Sequence, residues 1–359
     1  MKFRFLLIVL LACISPNVGL SSDVGVLCVQ NQLTALGHNA GPPDGLFGRR
    51  TLGAFRAYAR TIDHPGETFL SPGNATAWCR TIGLQNSELR QFWPSQEMST
   101  RVIIGDNVHE NVAAMVERQI PRLHRQIARR MQVELAGTDL VIVGSSVDDL
   151  FRLVTRHLPY RTVFTRLRVR LNDQCGDPMQ MGAFTISGIA VVCVPPNRPF
   201  GPDISIRLLS NILAHEASHL VVFQVIGLPP SDAPDADYVS LAGPSWLHEG
   251  LAMVHGAALS SGQGPRQIRR HAAYGLTGVE YPPLKRLEDR EALDTLNREV
   301  YLVGAIAVSI LVETHGYSAI GDLLEHMALG HRFEEAFQTA MVQDPAEFYA
   351  NFPELSRPD

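Results

Sequence analysis

The five residues His-Glu-Ala-Ser-His at positions 215–219 lie within a long apolar stretch of the sequence. The apolar residues on both sides recur at helical spacing, which predicts a buried helix. Residues four apart share one face of a helix, so His215 and His219 can point at the same cation while Glu216 projects beside them. Burying these side chains without partners is costly. The pattern therefore predicts a metal site, although the same string also occurs by chance on an ordinary helix face.

A second segment supplies a candidate for the third metal ligand. Residues 246–252 read Trp-Leu-His-Glu-Gly-Leu-Ala, and their carboxylate, Glu249, follows His219 by thirty residues. Two neutral imidazoles and one carboxylate make a three-ligand zinc site whose fourth position stays open, which is typical of catalytic zinc. His215, His219 and Glu249 are therefore the predicted ligands of Zn²⁺.

The two segments together resemble the gluzincin superfamily of zinc metallopeptidases, especially its peptidase MA-like branch and the zinc aminopeptidases. In that superfamily the third ligand comes from a Trp-Leu-x-Glu-Gly-x-Ala helix, and the glutamate after the first histidine takes a proton from the attacking water. The resemblance implies that Glu216 is the general base. Residues 300–305, Val-Tyr-Leu-Val-Gly-Ala, are similar to a family helix whose tyrosine donates to the oxyanion. This implies a catalytic role for Tyr301, and the alternative is a tyrosine packed in a helical core.

One motif of the zinc aminopeptidases has no match in this sequence. Those enzymes hold the free amine of the substrate with the glutamate of a Gly-Ala-Met-Glu-Asn segment. The nearest segment here, 181–195, alternates and is rich in β-branched residues, which predicts a strand. The family's geometry would make it the sheet edge along which a peptide lies. Without the amine anchor we expect internal cleavage of a protein or peptide substrate.

Two further histidines lie close to the predicted ligands in the sequence. His248 and His255 could contact substrate or replace a ligand. A structural histidine, exposed or hydrogen-bonded, is the commoner outcome at such positions.

The N-terminus predicts export. Residues 1–22 combine Lys2 and Arg4 with an apolar centre and a small, polar end, which is typical of a secretory signal peptide. The apolar run is too short to span a bilayer, and no later segment is predicted to be transmembrane. We expect a periplasmic or secreted protein. Lipid anchoring at Cys13 is the less favoured alternative, because Leu11 fits a lipoprotein cleavage site poorly.

Removal of the signal peptide leaves four cysteines. An even number in an exported chain predicts two disulfides. Four cysteines allow three connectivities. We favour the pairing that stays within each region of the chain, Cys28 with Cys79 and Cys175 with Cys193.

Residues 26–60 resemble the small helical peptidoglycan-binding domain found on many cell-wall enzymes. The matching residues are Gln30, Leu33, Leu36, Gly37, Asp44, Gly45, Phe47, Gly48, Thr51, Ala54 and Tyr58. Two amphipathic helices are expected around a turn at Asp44 and Gly45, with Thr51 capping the second helix. We assign residues 23–84 to this module, which would bind peptidoglycan or serve a structural role. The polar stretch within 85–105 predicts a linker.

Residues 106–359 complete the predicted α+β fold. We expect a mainly helical zincin-type catalytic domain with a small mixed sheet, preceded by the small all-α module. Helical spacing over 108–134 predicts a helix, and the apolar run 138–144 predicts a strand. The net charge of -5 predicts no basic stripe, so nucleic acid is not an expected partner.

Two classes of function fit these motifs. The favoured one is an exported zinc-dependent metallopeptidase, an endopeptidase, with Glu216 as the base and Tyr301 as the oxyanion donor. Within this class the peptide stems of peptidoglycan are the alternative substrate, which only the N-terminal module suggests. The other class is a non-catalytic wall-binding protein with a structural zinc site. Glu216 favours the enzyme, because a structural zinc site needs no general base.

Overall fold

The computed structural model describes most of the chain after the predicted signal peptide. The described residues are 23–62, 70, 75–92, 99–135, 138–157, 164–186, 188–201, 205–226, 239, 243–329 and 331–356. The predicted signal peptide over residues 1–22, including Cys13, lies outside them. We refer to residues 23–92 as the N-terminal module and to residues 99–356 as the C-terminal part.

Three α-helices in the described part of the N-terminal module share a core of their own. They are α1 (Val24–Ala35), α2 (Arg49–Thr61) and α3 (Ala75–Gln85). Asp23 caps α1 by accepting a hydrogen bond from the amide of Val26 at 2.9 Å. Phe55 on α2 is fully buried in this core. A disulfide joins Cys28 on α1 to Cys79 on α3, which confirms the predicted pairing.

Gln30 organises the turn between α1 and α2. Its amide nitrogen donates to the Asp44 carboxylate at 3.1 Å and to the Thr51 hydroxyl at 3.2 Å, and its amide oxygen accepts from the Gly45 amide at 2.9 Å. Gly45 has a φ of 71°, a left-handed conformation that glycine adopts without strain. The prediction that Thr51 caps α2 is wrong. The helix begins two residues earlier, at Arg49, and Thr51 is a buried partner of Gln30.

The segment predicted as a linker, 85–105, contains secondary structure near both ends. A 3-10 helix spans Ser87–Phe92, and its Leu89 packs in the core of the N-terminal module. The first strand, β1 (Ser99–Ile104), belongs to the sheet of the C-terminal part. The linker prediction rested on the polar residues of this segment and overlooked Val102, Ile103 and Ile104 of β1. Residues 93–98 between them lie outside the described residues.

In the described part of the chain, four strands form one mixed sheet in the order β1-β2-β4-β3. The second strand, β2 (Thr138–Gly144), confirms the strand predicted over 138–144. It runs parallel to β1 on one side and to β4 (Ile189–Cys193) on the other.

The strand predicted over 181–195 is a hairpin. β3 (Gly182–Ile186) pairs antiparallel with β4, and Ile186 lies opposite Ile189. Gly188, between the two strands, has a φ of 75°, which suits glycine in a tight turn. The prediction of a single strand missed this reversal because only Ser187 and Gly188 interrupt the apolar pattern. The hairpin leaves β3 at one edge of the sheet.

Helices cover both faces of the sheet. Alternate side chains of a strand point to opposite faces. On β2, Val141 and Val143 share a core with α4 (Glu110–Met131) and α7 (Ile206–Ile226). Ile142 between them shares another core with α5 (Val147–Thr155) and α6 (Phe164–Cys175). The predicted helix over 108–134 is α4, and the α+β class of the C-terminal part is confirmed.

A second disulfide anchors α6 to the sheet. It joins Cys175, the last residue of α6, to Cys193, the last residue of β4, and confirms the predicted pairing. The covalent link holds the helix beside the hairpin that forms the edge of the sheet.

Beyond α7, the regular secondary structure of the described residues is entirely helical. Its elements are α8 (Ser245–Ser261), α9 (Pro265–Gly275), a 3-10 helix over Leu284–Leu287, α10 (Arg290–Thr295), α11 (Asn297–Ala328), α12 (Phe333–Met341) and α13 (Pro345–Leu355). Among the described helices only α11 is long and apolar enough to cross a membrane. It packs against α8, α9 and α12, and 61% of its most apolar stretch is buried, as in a core helix.

The N-terminal module contacts the C-terminal part through α3, which packs against α7 and α11. Arg80 on α3 forms a salt bridge with Glu325 on α11. The hydroxyl of Thr81 donates to the carbonyl oxygen of Ala328 at 2.7 Å. Burial lowers the pKa of Arg80, and the Glu325 carboxylate opposes that shift. The two parts therefore have separate cores but share a contact that includes a buried charge.

Candidate metal centre

Helix α7 carries both predicted imidazole ligands in its middle. Leu213 and Leu220, on either side of the motif, are buried in the main core of the C-terminal part and hold the helix in place. His215 and His219 lie one turn apart, and their Nε2 atoms are separated by 3.2 Å. The two rings meet edge to face with centroids 4.9 Å apart. Both imidazoles thus present one nitrogen to the same point.

Helix α8 places Glu249 opposite the two imidazoles. Its Oε2 atom lies 3.3 Å from Nε2 of His215 and 3.3 Å from Nε2 of His219. Burial alone would raise the pKa of the Glu249 carboxyl, but His219 and His215 hold that pKa well below its usual range. Burial likewise disfavours a charged His219, but Glu249 and then Glu216 raise the pKa of this imidazole. The three side chains form one strongly coupled cluster.

The spacing of the three ligand atoms fits zinc. With tetrahedral geometry and bonds of about 2.0–2.1 Å, two zinc ligands lie about 3.4 Å apart. The observed separations are 3.2, 3.3 and 3.3 Å. Oε2 of Glu249 is buried and, among the described residues, has no hydrogen-bond donor in suitable geometry, as expected for an atom that faces a cation. Two imidazole nitrogens and one carboxylate are also the donors that zinc accepts.

Close packing of α8 on α11 determines where Tyr301 lies. A Cβ atom on Gly250 would come 2.3 Å from the carbonyl oxygen of Gly304, and one on Gly304 would come 2.4 Å from that of Trp246. Only glycine permits this approach. Gly250 follows Glu249 directly, and Tyr301 precedes Gly304 by about one helical turn. The contact between the two glycines therefore brings the phenol to the ligand cluster.

The ring of Tyr301 stacks on the imidazole of His215. The ring centroids are 5.8 Å apart and the planes differ by 17°. Burial, followed by the negative charges of Glu249 and Glu216, raises the pKa of the Tyr301 phenol. The hydroxyl therefore keeps its proton at neutral pH and can donate a hydrogen bond.

Glu216 lies beside the cluster and is held by the sheet. The hydroxyl of Thr185 on β3 donates to Oε2 of Glu216 at 2.7 Å. Glu216 is only 3% exposed. Its charge acts on both His219 and Tyr301. The Glu216 carboxylate is thus close to the three proposed ligands but is not itself one of them.

Arg170 on α6 adds a positive charge near this site. Its side chain is exposed. The positive charge of Arg170 lowers the pKa values of His219 and Tyr301 and so counteracts part of their rise. Arg170 therefore lies within electrostatic reach of both residues.

The other two histidines considered from the sequence lie outside the cluster. His255 is fully buried, its Nδ1 lies 2.9 Å from the Ser218 hydroxyl, and its ring stacks on Tyr317. Burial lowers the pKa of His255 to about 3, so this imidazole is neutral. His248 stacks on Phe223 with centroids 6.1 Å apart. Both histidines therefore act as packing residues.

Thr185 and Arg170 were not identified from the sequence. Thr185 lies in the segment predicted as a strand, but the register of the hairpin decides which side chain reaches Glu216. Arg170 lies in a helix that carries no recognisable motif. Tertiary contacts alone reveal the position of these two residues.

Comparisons of this chain with protein-family models, curated proteins and solved structures find no match.

Proposed function

We propose that this protein is an exported zinc-dependent metallopeptidase that cleaves within peptide chains. His215, His219 and Glu249 would hold Zn²⁺, Glu216 would be the general base and Tyr301 the oxyanion donor. One observation carries the proposal: the three ligand atoms lie 3.2 to 3.3 Å apart, close to the edge length of a zinc tetrahedron.

The roles of the side chains follow from their positions. Zinc, when bound, supplies Lewis acidity toward a water molecule and the substrate carbonyl. Glu216 accepts the proton of the attacking water and then passes it to the leaving amine. Thr185 donates its hydrogen bond to Oε2 of Glu216, so Oε1 remains for this proton transfer. Tyr301 donates to the oxygen that becomes negative as the carbonyl is attacked, an interaction that is stronger in the transition state than in the bound substrate.

Strand β3 is the proposed binding strand for the substrate. It forms one edge of the described sheet, where an extended peptide can add as a further strand. Because Thr185 lies on β3 and contacts Glu216, a peptide on this edge would pass beside the base. β3 reads Gly-Ala-Phe-Thr-Ile and offers no carboxylate to hold a free amine. This supports internal cleavage over removal of N-terminal residues.

Export places the proposed reaction in the periplasm or outside the cell. Two disulfides fit an oxidising compartment. The signal-like sequence of residues 1–22 supports the same location and leaves lipid anchoring at Cys13 less favoured. Residues 23–84 would contact peptidoglycan, as their resemblance implies.

Two alternatives keep the same site. If the substrate is the peptide stem of peptidoglycan, the chemistry is unchanged and the N-terminal module supplies the specificity. If the protein is a non-catalytic wall-binding protein, the zinc would be structural. The buried base beside the ligands and the phenol stacked on His215 argue against a structural zinc site, because stability requires neither.

Parallel digestions test the proposal. The mature protein is supplied with zinc and incubated with an unfolded protein and with purified muropeptides, and the products are identified by mass spectrometry. Glu216→Gln is the matched control, since the amide cannot accept a proton. We expect internal fragments of the unfolded protein from the wild type and none from the variant. Cleavage of muropeptides alone would favour the alternative substrate. Zinc-loaded wild type that cleaves neither would overturn the enzymatic proposal.

A further inference from the structure

A cavity of about 320 Å³ lies between α4, the start of α7 and the end of α8. None of the proposed ligands or catalytic residues lines it. Ser210 in its wall precedes His215 by five residues, which places the two side chains about 140° apart around the helix. The cavity is therefore separate from the metal centre, although the same two helices form both.

Among the described residues, two arginines and no carboxylate line this cavity. Arg122 and Arg130 lie on one face of α4, with the amides of Gln119 and Gln126 a turn away from them. The arginines are eight residues apart, so their backbones are separated by about 12 Å along the helix. Among the described residues no carboxylate pairs with Arg122. The charge of this guanidinium is thus available to a ligand.

Arg130 is held in place by an aromatic ring. Its guanidinium lies 5.5 Å from the ring centroid of Tyr317, a cation–π contact that restricts a flexible side chain. Tyr317 stacks on His255 with centroids 5.5 Å apart, and His255 contacts Ser218, the residue before His219. This series of contacts connects the cavity to the helix of the proposed zinc ligands.

Part of the wall near the two arginines is apolar, although the Gln126 amide lies between them on α4. Leu123 and Ala258 are buried, and Leu259 lies beside them in the lining. The cavity thus offers two positive charges with an apolar patch and one amide between them.

The outer face of α4 adds further positive charge. Arg118, Arg125 and Arg129 are exposed on it, against two exposed glutamates, Glu110 and Glu117. The net charge predicted no basic stripe, and this prediction is wrong for α4. A concentration of one sign of charge attracts anions from solution.

We propose that this cavity binds an elongated organic dianion, such as a dicarboxylate or a peptide with two acidic groups. One acidic group lies on Arg122 and the other on Arg130, and the chain between them packs on Leu123 and Leu259. Guanidinium groups bind carboxylates through paired hydrogen bonds, and apolar contact fixes the length of the ligand that fits. The inference does not depend on the proposed peptidase activity.

Calorimetric titration of the full mature protein tests this site. The probe is suberate, whose eight-carbon chain places two carboxylates roughly 10 Å apart. Octanoate has the same length with one carboxylate, and succinate has both carboxylates at half the length. We expect one suberate per chain, bound at least about tenfold more tightly than either control.

Variants locate the bound probe. Arg122→Gln and Arg130→Gln should each weaken suberate binding about tenfold or more, while Arg118→Gln, on the same helix but outside the cavity, should not change it. Arg130→Lys serves as a second variant if Arg130→Gln unfolds. Equal affinity for the three probes, no binding of suberate, or an equal loss in Arg118→Gln would overturn the proposal. Suberate binding at the proposed metal centre would survive both cavity substitutions and would also contradict it. Failure of the peptidase assay leaves these results unaffected.

Discussion

Thr185 donates a hydrogen bond to Glu216 at 2.7 Å and so connects the edge strand β3 to the helix α7. The strand is fixed by its pairing with β4, and β4 is fixed to α6 by the disulfide between Cys175 and Cys193. One carboxylate oxygen of Glu216, the proposed base, is therefore held in place by β3, the strand on which the substrate is proposed to lie.

Removal of this hydrogen bond should impair turnover. Thr185→Val keeps the shape of the side chain but loses the donor. A hydrogen bond to a charged group contributes about 1.5–3 kcal/mol, so kcat should fall by about tenfold to a hundredfold while KM changes less. Thr185→Ser keeps a hydroxyl and should stay close to the wild type. Steady-state kinetics on a peptide substrate measure both variants, and a wild-type kcat in Thr185→Val would rule out this role of the hydroxyl.

Loss of the Tyr301 hydroxyl should lower kcat rather than substrate affinity. The ring of Tyr301→Phe can still stack on His215, so the zinc content should be unchanged. Removal of one oxyanion donor typically reduces kcat by about a hundredfold to a thousandfold. Kinetics together with metal analysis separate the two effects. A normal kcat in Tyr301→Phe would show that Tyr301 is a packed core residue and not an oxyanion donor.

Local periodicity explains what could be predicted from the sequence. The i, i+4 spacing of His215 and His219 is visible within five residues, and the apolar stripe of α4 extends over the whole predicted helix. The reversal at Gly188 was missed because only Ser187 and Gly188 separate two apolar runs. β1 was missed because its apolar residues, Val102, Ile103 and Ile104, form only a short run after a polar stretch, and its partner β2 lies far away in the sequence.

Relationships between distant residues could not be predicted. Thr185 reaches Glu216 only in the register that pairs Thr185 with Ala190. The arginine-rich face of α4 was hidden in the net charge, which averages over the whole chain. The contact of Arg80 with Glu325 joins residues 245 positions apart.

Asp139 should make stability depend on pH. Its carboxylate on β2 accepts from the Gln224 amide at 2.6 Å and lies 3.2 Å from Nδ1 of the buried His124. Burial raises the pKa of Asp139 from 3.8 to about 7. Because the folded pKa is the higher one, the stability contributed by this group is complete below pH 3.8 and is lost as the pH rises through about 7.

Asp139→Asn should remove this pH dependence. As the pH rises from 5 to 8.5, we expect the free energy of unfolding of the variant to increase relative to that of the wild type, by a few kcal/mol in order of magnitude. Urea unfolding at both pH values measures the difference. Burial lowers the pKa of His124 to about 3, and this group is present in both proteins. A difference that stays constant with pH would contradict the assigned shift.

The salt bridge between Arg80 and Glu325 should couple the N-terminal module to the C-terminal part. Arg80→Met or Glu325→Leu alone leaves one charge without its partner and should cost about 1–3 kcal/mol. The double variant should recover much of that loss, because replacing both charges avoids the unpaired one. Unfolding free energies of the four proteins form a double-mutant cycle. Simple additivity of the two losses would show that the contact does not couple the parts.

The zinc content of the purified mature protein tests the central claim most directly. After zinc supply and removal of loosely bound metal, we expect one zinc per chain in the wild type, in Glu216→Gln and in Thr185→Val. His219→Ala and Glu249→Ala should lose most of it, because each removes one of the three atoms that lie 3.2 to 3.3 Å apart. Wild-type zinc content in His219→Ala, or no zinc in the wild-type protein, would contradict the account.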